Sequence, residues 1–185
     1  MRQDNGSICK ISVDGTDFCI RQVQPFWTGW FSHKFNGPAV RYEVAVSIQS
    51  GDIVWTNGPF PAGRFPDLKI FRLGLKQLLL FSRERAEADA GYRGEASCID
   101  LPDEGVFNNP HQMDIKGKVR KRHEAVNRRF KQFSCLSQKF RHHLFYHKYF
   151  FSAVVAITQI SFENGNPVYS IDNYRTATPN DLWNV

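Results

Sequence analysis

The stretch that most constrains the fold of this chain is AVRYEVAVSI at residues 39–48, where apolar and polar side chains alternate. Such alternation places one set of side chains on a single face, which is typical of a half-buried β-strand. SGD at 50–52 has the composition of a turn and IVWT at 53–56 resumes a strand, so an antiparallel hairpin is predicted. The apolar set on its first strand is Val40, Tyr42, Val44, Val46 and Ile48.

Two further strands are predicted, and each leads to a carboxylate. Residues 9–13 alternate between apolar and polar side chains, and Asp14 stands at the end of that predicted strand. A short strand is predicted at 86–88, and it leads to Asp89. NGPFPAG at 57–63 predicts a loop, because its glycines and prolines oppose regular structure.

Helical periodicity dominates the remaining segments. Apolar residues recur at helical spacing from Asp67 to Leu79, and again along a long helix predicted from about Lys116 to Phe133. Residues 139–160 are apolar and aromatic, and we expect them to be helical and packed on the core. Strands and helices in this order predict a mixed α/β domain, and 185 residues suffice for one core.

Charge is distributed unevenly along the chain, whose formal net charge is +6. Residues 116–148 hold eleven Lys and Arg residues and a single acid, Glu124, so this segment is +10 and the rest of the chain −4. A basic segment on a mildly acidic body indicates a polyanionic partner, most often nucleic acid. The alternative is a basic helix face that contacts only solvent.

The cysteines and the most apolar segment of the chain indicate the cellular compartment. The four cysteines show no CxxC spacing, which is typical of reduced thiols in an intracellular protein. The run YFFSAVVAI at 149–157 is too short to cross a bilayer, so no membrane association is predicted.

Three acids stand out by their predicted positions: Asp14, Asp89 and Glu124. Two strand-end aspartates and a helix glutamate supply the oxygen ligands that Mg²⁺ prefers. A pair of such ions can activate an oxygen nucleophile and stabilise the leaving oxygen of a phosphodiester. Taken alone, Glu124 would be read as a salt-bridge partner of Arg120 and Arg128, four residues away on either side.

Four segments, taken in order, resemble the nuclease domain of DDE transposases, most closely the Harbinger-like branch and related bacterial insertion-sequence transposases. They are DGT, HKFNGPAVRYEVAVSIQSGDIVWTNGPFPAGRFPDLKIF, ADAGYRGE and VRKRHEAVNRRFKQFSCL. The resemblance runs from about residue 10 to 160. It implies an RNase H-like mixed sheet flanked by helices, with a DDE endonuclease domain over 8–162 and a C-terminal tail over 163–185. Fewer than fifteen residues precede Asp14, so the family's N-terminal helix-turn-helix region is expected to be absent.

The resemblance also implies the chemistry of the site. Asp14 in VDGT, Asp89 in ADAGY and Glu124 in RHEAVNRRFK match the catalytic and metal-binding acids of the family. They would hold two Mg²⁺ or Mn²⁺ ions. The implied reaction is cleavage at transposon ends by activated water, followed by attack of the freed 3′-hydroxyl on target DNA.

DNA is the partner that the charge and the resemblance both imply. The residues expected to contact its phosphates are Lys34, Arg120, Arg128 and Lys131. The resemblance also implies a separate Myb-like DNA-binding protein and a homo-oligomer as further partners. It favours the nucleus if the source is a eukaryote and the cytoplasm if it is a bacterium. The segment KGKVRKR at 116–122 could be read as a nuclear localisation signal, whereas the plainer interpretation is that its lysines and arginines face DNA.

Several other polar residues have a plainer interpretation than a role in catalysis. Asp67 recurs in the family's pattern, and we interpret it as a helix cap rather than a metal ligand. Asp17 is expected to face solvent. His123 is expected to point toward the apolar stripe of the helix that carries Glu124, as a packed or supporting histidine rather than a general base. His143 and His147 have the spacing of a zinc pair, but no accompanying motif supports zinc.

The loop after the first strand is aromatic. Trp27, Trp30 and Phe31 could stack on an unpaired base, whereas packing against the hairpin is the plainer interpretation.

Two other functional classes stay open on the sequence. One is a truncated or host-adapted, catalytically silent module that binds DNA or protein on the same fold. The other is a nuclease or repair resolvase that is not a transposase, since one fold hosts many functions.

Overall fold

The fold is that of a computed structural model, which describes residues 9–25, 27–101 and 110–171, without the side chains of 110–112. The strands are β1 (Cys9–Cys19), β2 (Phe31–Ser32), β3 (Gly37–Ser47), β4 (Ile53–Pro61), β5 (Arg85–Glu87) and β6 (Ile99–Asp100). The α-helices are α1 (Asp67–Leu73), α2 (Leu75–Ser82), α3 (Pro110–Phe130), α4 (Ser134–Ser137) and α5 (His147–Glu163). Short 3₁₀ turns lie at Thr28–Trp30, Ala90–Tyr92 and Leu144–Tyr146.

The six strands form one mixed sheet with β1 at its centre. β1 is antiparallel to β3, which in turn pairs with β2 and β4, and β1 is parallel to β5, which pairs in parallel with β6. The predicted mixed α/β class is therefore confirmed. The order β4-β3-β1-β5-β6, flanked by helices, is compatible with an RNase H-like fold.

The pleat of β1 divides its side chains between two packed layers. Val13 lies on one face of the sheet, in a cluster with Phe71 and Leu79 of α1 and α2. Phe18 lies on the opposite face, in a larger cluster that includes Phe130 of α3 and Phe151 of α5. Because residues 13 and 14 point to opposite faces, Asp14 projects toward the α3 layer.

Two strand predictions need correction. β1 does not end at Asp14 but continues to Cys19, because residues 15–19 pair with β3 over Ala39–Glu43. The predicted loop at 57–63 is wrong over 57–61, which belong to β4. Among the described strands β4 pairs only with β3, and such an edge position tolerates proline because no N–H is needed on the outer side.

The helix predictions hold with shifted boundaries. The helix predicted from Asp67 is divided by Gly74 into α1 and α2, and the helix predicted over 116–133 lies largely within α3. Only the later part of 139–160 is helical. Phe140 instead lies beside the end of β1, where its N–H donates to the Cys19 carbonyl at 2.9 Å and its carbonyl accepts from Arg21 at 2.8 Å.

No helix within the described ranges is both long and apolar enough to cross a membrane. Of the predicted tail over 163–185, residues 172–185 lie outside the described part of the chain. The proposed domain limits stay predictions.

Candidate functional site

An open cleft of about 460 Å³ collects residues from β1, the β2–β3 turn, the segment after β5, α3 and the residue after it. It is lined by Asp14, Thr16, Lys34, Asp89, Glu124, Asn127, Arg128 and Lys131. Six of the seven predicted site residues therefore share one cleft, although up to 117 positions separate them along the chain. Arg120 is exposed on α3 and does not line the cleft.

One face of α3, together with the residue that follows the helix, supplies half of this lining. Glu124, Asn127 and Arg128 lie three and four residues apart, so their side chains project from the same side of the helix. Lys131 follows directly after the last residue of α3 and extends that row. The opposite face of α3 is held by buried Val126 and Phe130, so packing of the apolar face orients the polar face toward β1.

Asp14 is the most enclosed acid of the predicted triad. Its Oδ1 accepts a hydrogen bond from the Gly15 N–H at 2.7 Å, and its Oδ2 accepts one from Asn127 Nδ2 at 3.2 Å. Burial, and then the negative charges of Asp89 and Asp67, raise the pKa of Asp14 to about 7. A cation in the cleft would relieve both the desolvation and the repulsion, so the site favours positive charge.

The other two acids of the triad are exposed. Asp89 begins the Ala90–Tyr92 turn and accepts a hydrogen bond from the Gly91 N–H at 2.8 Å. Glu124 lies mid-helix on α3. No ion pair to Glu124 is found among the described residues, so its reading as a salt-bridge partner of Arg120 and Arg128 gains no support there.

Asp67 is a fourth carboxylate beside the site, and its interpretation as a helix cap is wrong. Pro66 takes the N-cap position of α1, and the Asp67 side chain packs against the backbone of Gly15. A Cβ atom at Gly15 would overlap Asp67 Oδ1 and lie 2.8 Å from its Cγ, while one at Gly91 would lie 3.3 Å from its Oδ2. Asp67 therefore fills the space between β1 and the Asp89 turn.

Arg41 connects Asp67 to a second buried acid. Its Nε donates to Asp17 Oδ1 at 2.6 Å, and its Nη1 lies 3.3 Å from Asp67 Oδ1. Asp17 also accepts from Ser32 Oγ at 2.7 Å and is 1% exposed. The expectation that Asp17 faces solvent is wrong, because the pleat of β1 turns it toward Arg41 on β3.

A buried polar layer continues beneath Asp67. Glu43, opposite Gly15 in the β1–β3 ladder, is fully buried and accepts a hydrogen bond from Trp55 Nε1 at 3.1 Å. Burial is the main reason that its pKa is raised to about 7. The Tyr92 hydroxyl is buried there without a hydrogen-bond partner among the described residues. The sheet face behind Asp14 thus carries a second, buried group of polar and acidic side chains.

Two lysines line the cleft together with the acids. Lys34 and Lys131 both line it, and burial followed by the charge of Lys34 lowers the pKa of Lys131. Lys131 Nζ also lies 5.9 Å from the ring centroid of Phe35. An anion bound between these ammonium groups would offset their repulsion, as a DNA phosphate can.

His123 and His147 are structural, as predicted for the first. His123 is buried, with Nδ1 2.9 Å from Ser12 Oγ, and burial lowers its pKa to about 3. His147 Nδ1 lies 2.8 Å from the Tyr42 hydroxyl, and burial lowers its pKa to about 4. His143 is exposed and accepts from the Phe145 N–H at 3.3 Å. The two histidines spaced as a zinc pair therefore have separate roles.

The aromatic loop after β1 only partly packs on the hairpin. Trp30 contacts the main apolar cluster, whereas Trp27 is 39% exposed and meets Trp30 edge to face. The guanidinium of Arg64 lies 5.3 Å from the centroid of the Trp27 ring. The packing prediction thus applies to Trp30 rather than to Trp27.

Cys9, Glu87 and Asp100 form a separate group that could hold a metal ion. Their potential ligand atoms all lie within 4.8 Å of one another, and this is the one such group within the described residues. No sequence motif marks this group, because the register of β1, β5 and β6 brings its members together. Arg85 pairs with Asp100 and Lys116 lies 3.3 Å from Glu87, so nearby cations already offset these carboxylates.

The predicted triad differs from that group in its spacing. Asp14, Asp89 and Glu124 line the same cleft, but their ligand atoms do not all lie within 4.8 Å of one another. Their carboxylate chemistry fits Mg²⁺ or Mn²⁺, and the repulsion at Asp14 is what a bound cation would remove.

Comparison with known proteins yields no relative to set beside this site: no family model, curated protein or solved structure matches the chain. The resemblance to DDE transposases therefore stays a prediction from motifs.

Proposed function

We propose that this chain is a metal-dependent DNA nuclease domain of the DDE transposase type, acting on phosphodiester bonds. The observation that carries the proposal is the convergence of Asp14, Asp89 and Glu124 on one cleft from a strand, a turn and a helix. A chance set of surface acids would not be expected to coincide with three predicted motifs so far apart in the sequence.

Asp14, Asp89 and Glu124 would hold two Mg²⁺ or Mn²⁺ ions. When bound, such ions activate an oxygen nucleophile and stabilise the leaving oxygen of a phosphodiester. Asn127 and the Gly15 N–H fix the orientation of the Asp14 carboxylate through their hydrogen bonds. Asp67, held by Arg41, adds negative charge behind Asp14 and supports cation binding from the opposite face of β1.

Lys34, Arg128 and Lys131 would hold the DNA backbone beside these acids. All three line the same cleft as the triad. Contacts to phosphates position a nucleic acid without reading its sequence, so recognition of transposon ends would need a further module. Other parts of this proposal rest only on the sequence motifs that resemble DDE transposases. They are a Myb-like partner, a homo-oligomer, strand transfer and a nuclear location.

A second candidate is a catalytically silent DNA-binding module on the same fold. It is favoured by the wider spacing of the triad compared with the Cys9, Glu87 and Asp100 group. On that account the basic side of the cleft still binds DNA, while the acids no longer assemble around a metal.

A nicking assay separates the two candidates. Purified protein is incubated with supercoiled plasmid and Mg²⁺ or Mn²⁺, beside the variant Glu124→Gln, which keeps the shape of the side chain and removes its charge. The matched control is Glu163→Gln, an exposed glutamate at the far end of α5. We expect the wild type and the control to nick, and Glu124→Gln to lose at least about 100-fold in rate, as when one charge-stabilising group is removed.

Two results would contradict the nuclease. DNA binding without nicking by any of the three proteins would support the silent module. Equal nicking by the wild type and Glu124→Gln would mean that Glu124 is not part of the site.

A further inference from the structure

A cluster of exposed aromatic rings lies at the start of α5, outside the cleft. We call Phe145, Tyr146, Tyr149 and Phe150 the aromatic ledge. Their exposed fractions are 54%, 52%, 53% and 40%. Four large rings so exposed within six residues exceed what single scattered surface aromatics explain.

The rings of the ledge contact one another and still keep large exposed fractions. Phe145 meets Tyr146 and Tyr149 edge to face, with ring centroids 5.5 Å apart in each case. Lys148 Nζ lies 5.0 Å from the centroid of Phe145 and 4.9 Å from that of Tyr149. A cation is thus fixed between two aromatic faces, where it can meet a phosphate while a base stacks on a ring.

A groove of about 380 Å³ adjoins the ledge and is likewise lined by basic side chains and rings. Its lining includes Arg21, Arg141, His142 and His143, all exposed. His142 stacks on Phe150 of the ledge, with ring planes 9° apart. Groove and ledge therefore form one surface of cations and rings.

The charge of this surface fits a polyanion. No acidic residue lies between Glu124 and Glu163, whereas the same stretch contains six lysines and arginines. A surface for an ordinary protein partner would be expected to mix charges or exclude them. Alternating rings and cations are instead the arrangement that binds unpaired nucleic-acid strands.

β1 connects this surface to the cleft. Asp14 lies in the middle of the strand, and Ile20, just beyond its end, bridges to Phe140 and lines the groove. Six residues of extended chain span about 20 Å. Lys131, which lines the cleft, also lies 5.8 Å from the centroid of Phe18 on that path.

We propose that the aromatic ledge and its groove bind an unpaired segment of DNA that leaves the cleft. Bases stack on Phe145 and Tyr149, and the backbone contacts Lys148, Arg21 and Arg141. This proposal rests on the proposed function, because it takes DNA as the ligand. It adds that the ledge and its groove bind the strand only where it is unpaired next to the cleft. Duplex DNA keeps its bases stacked internally, so it cannot use the rings in this way.

The test measures binding of a fluorescein-labelled thymidine oligonucleotide to the full chain in EDTA, by fluorescence anisotropy. We expect the double variant Phe145→Ala/Tyr149→Ala to bind at least about tenfold more weakly, from the loss of base stacking. Tyr149→Phe, which keeps the ring, should bind as the wild type does. The control is Phe81→Ala, a 92% exposed ring on α2, across the sheet from the ledge.

The outcomes separate this proposal from the nuclease. Because binding is measured without divalent metal, weakened binding by the double variant supports the ledge even if plasmid nicking fails. Unchanged binding of the oligonucleotide by the double variant overturns the ledge, whatever the nicking assay gives. A double variant that changes only the sedimentation of the protein would assign the rings to self-association and overturn the proposal as well.

Discussion

The Asp67 carboxylate occupies the space that a side chain at Gly15 would fill, so a residue of α1 touches the backbone of β1 next to Asp14. The contact places carboxylates on both faces of the sheet at the same point of β1. Asp14 projects into the cleft from one side, while Asp67 approaches the same strand from the other and repels the Asp14 charge. Only a residue without a Cβ permits this approach.

The first prediction concerns Gly15→Ala. The added methyl group would overlap Asp67, which Arg41 holds in place, so we expect the free energy of unfolding to fall by about 1–3 kcal/mol. A thermal melt would show a Tm lower by roughly 2–4 °C for each kcal/mol in a domain of this size. Adding Asp67→Ala should restore part of the loss, since the two changes share one contact.

The control for that prediction is Gly117→Ala. Gly117 lies within α3 and has no atom within 4 Å of an added Cβ. Alanine should therefore leave the Tm unchanged or raise it, by up to about 1 kcal/mol of helix propensity. A similar loss at both glycines would mean that the Asp67 contact is not the cause.

The second prediction concerns Asp14→Asn. The raised pKa means that ionising Asp14 is harder in the folded than in the unfolded chain, so metal-free protein loses stability as pH rises from about 4 through about 7. At pH 8 and in EDTA, the variant should melt above the wild type. MgCl₂ should raise the Tm of the wild type but not that of the variant. An equal gain in both would place the cation elsewhere, and Asp100→Asn would then test the Cys9 group.

The third prediction concerns acid unfolding. Burial depresses the pKa of His147 to about 4. The folded state therefore favours the neutral form, and this stabilising contribution is fully present above the usual pKa of about 6.5 and is lost as pH falls toward 4. A shift of that size corresponds to roughly 3 kcal/mol. His147→Gln should flatten the profile of denaturant midpoint against pH between these values, leaving a residual slope from His123.

His143→Gln is the control for the acid profile, because this histidine is exposed. It should leave the profile as it is in the wild type. A profile that is equally steep with and without His147 would show that protonation of another group drives acid unfolding.

The fourth prediction separates two arginines of α3. Arg128 lines the cleft, whereas Arg120, two turns earlier, does not. Arg128→Gln should weaken duplex binding and reduce the slope of log K against log salt by about 1, the value for one phosphate contact. Arg120→Gln should change the slope less. The reverse order would move the DNA path off the cleft.

Sequence motifs identify the acids that stand in recognisable segments, but not the acids that tertiary packing brings close to the site. Asp14, Asp89 and Glu124 were predicted because each stands in a recognisable segment, and they do share a cleft. The position of Asp67 after Pro66 predicts a helix cap, and only the approach of α1 to Gly15 shows where its side chain lies. Helix position is a local property, but contact across a sheet depends on how two distant elements pack.

The same distinction explains the other errors. Asp17 lies beyond the strand that alternation predicts, so the sequence indicates a solvent-facing acid, whereas β1 continues past it and turns it onto Arg41. Residues 57–61 looked like a loop because proline opposes central strands, and only the edge position of β4 makes them compatible with pairing. The mixed α/β class was predictable because alternation and helical periodicity depend on neighbours in the chain alone.

The unequal lengths of β1 and β5 give the three acids different degrees of freedom. β1 has 11 residues and β5 only three, so Asp14 is anchored by the ladder to β3, whereas within the described ranges the pairing of β1 with β5 ends at Ser12. Asp89 lies on a short turn and Glu124 at the solvent side of a helix. Backbone amides around Asp14 should exchange with deuterium far more slowly than those around Asp89. A ligand arriving in the cleft would meet one stationary carboxylate and two that can adjust toward it.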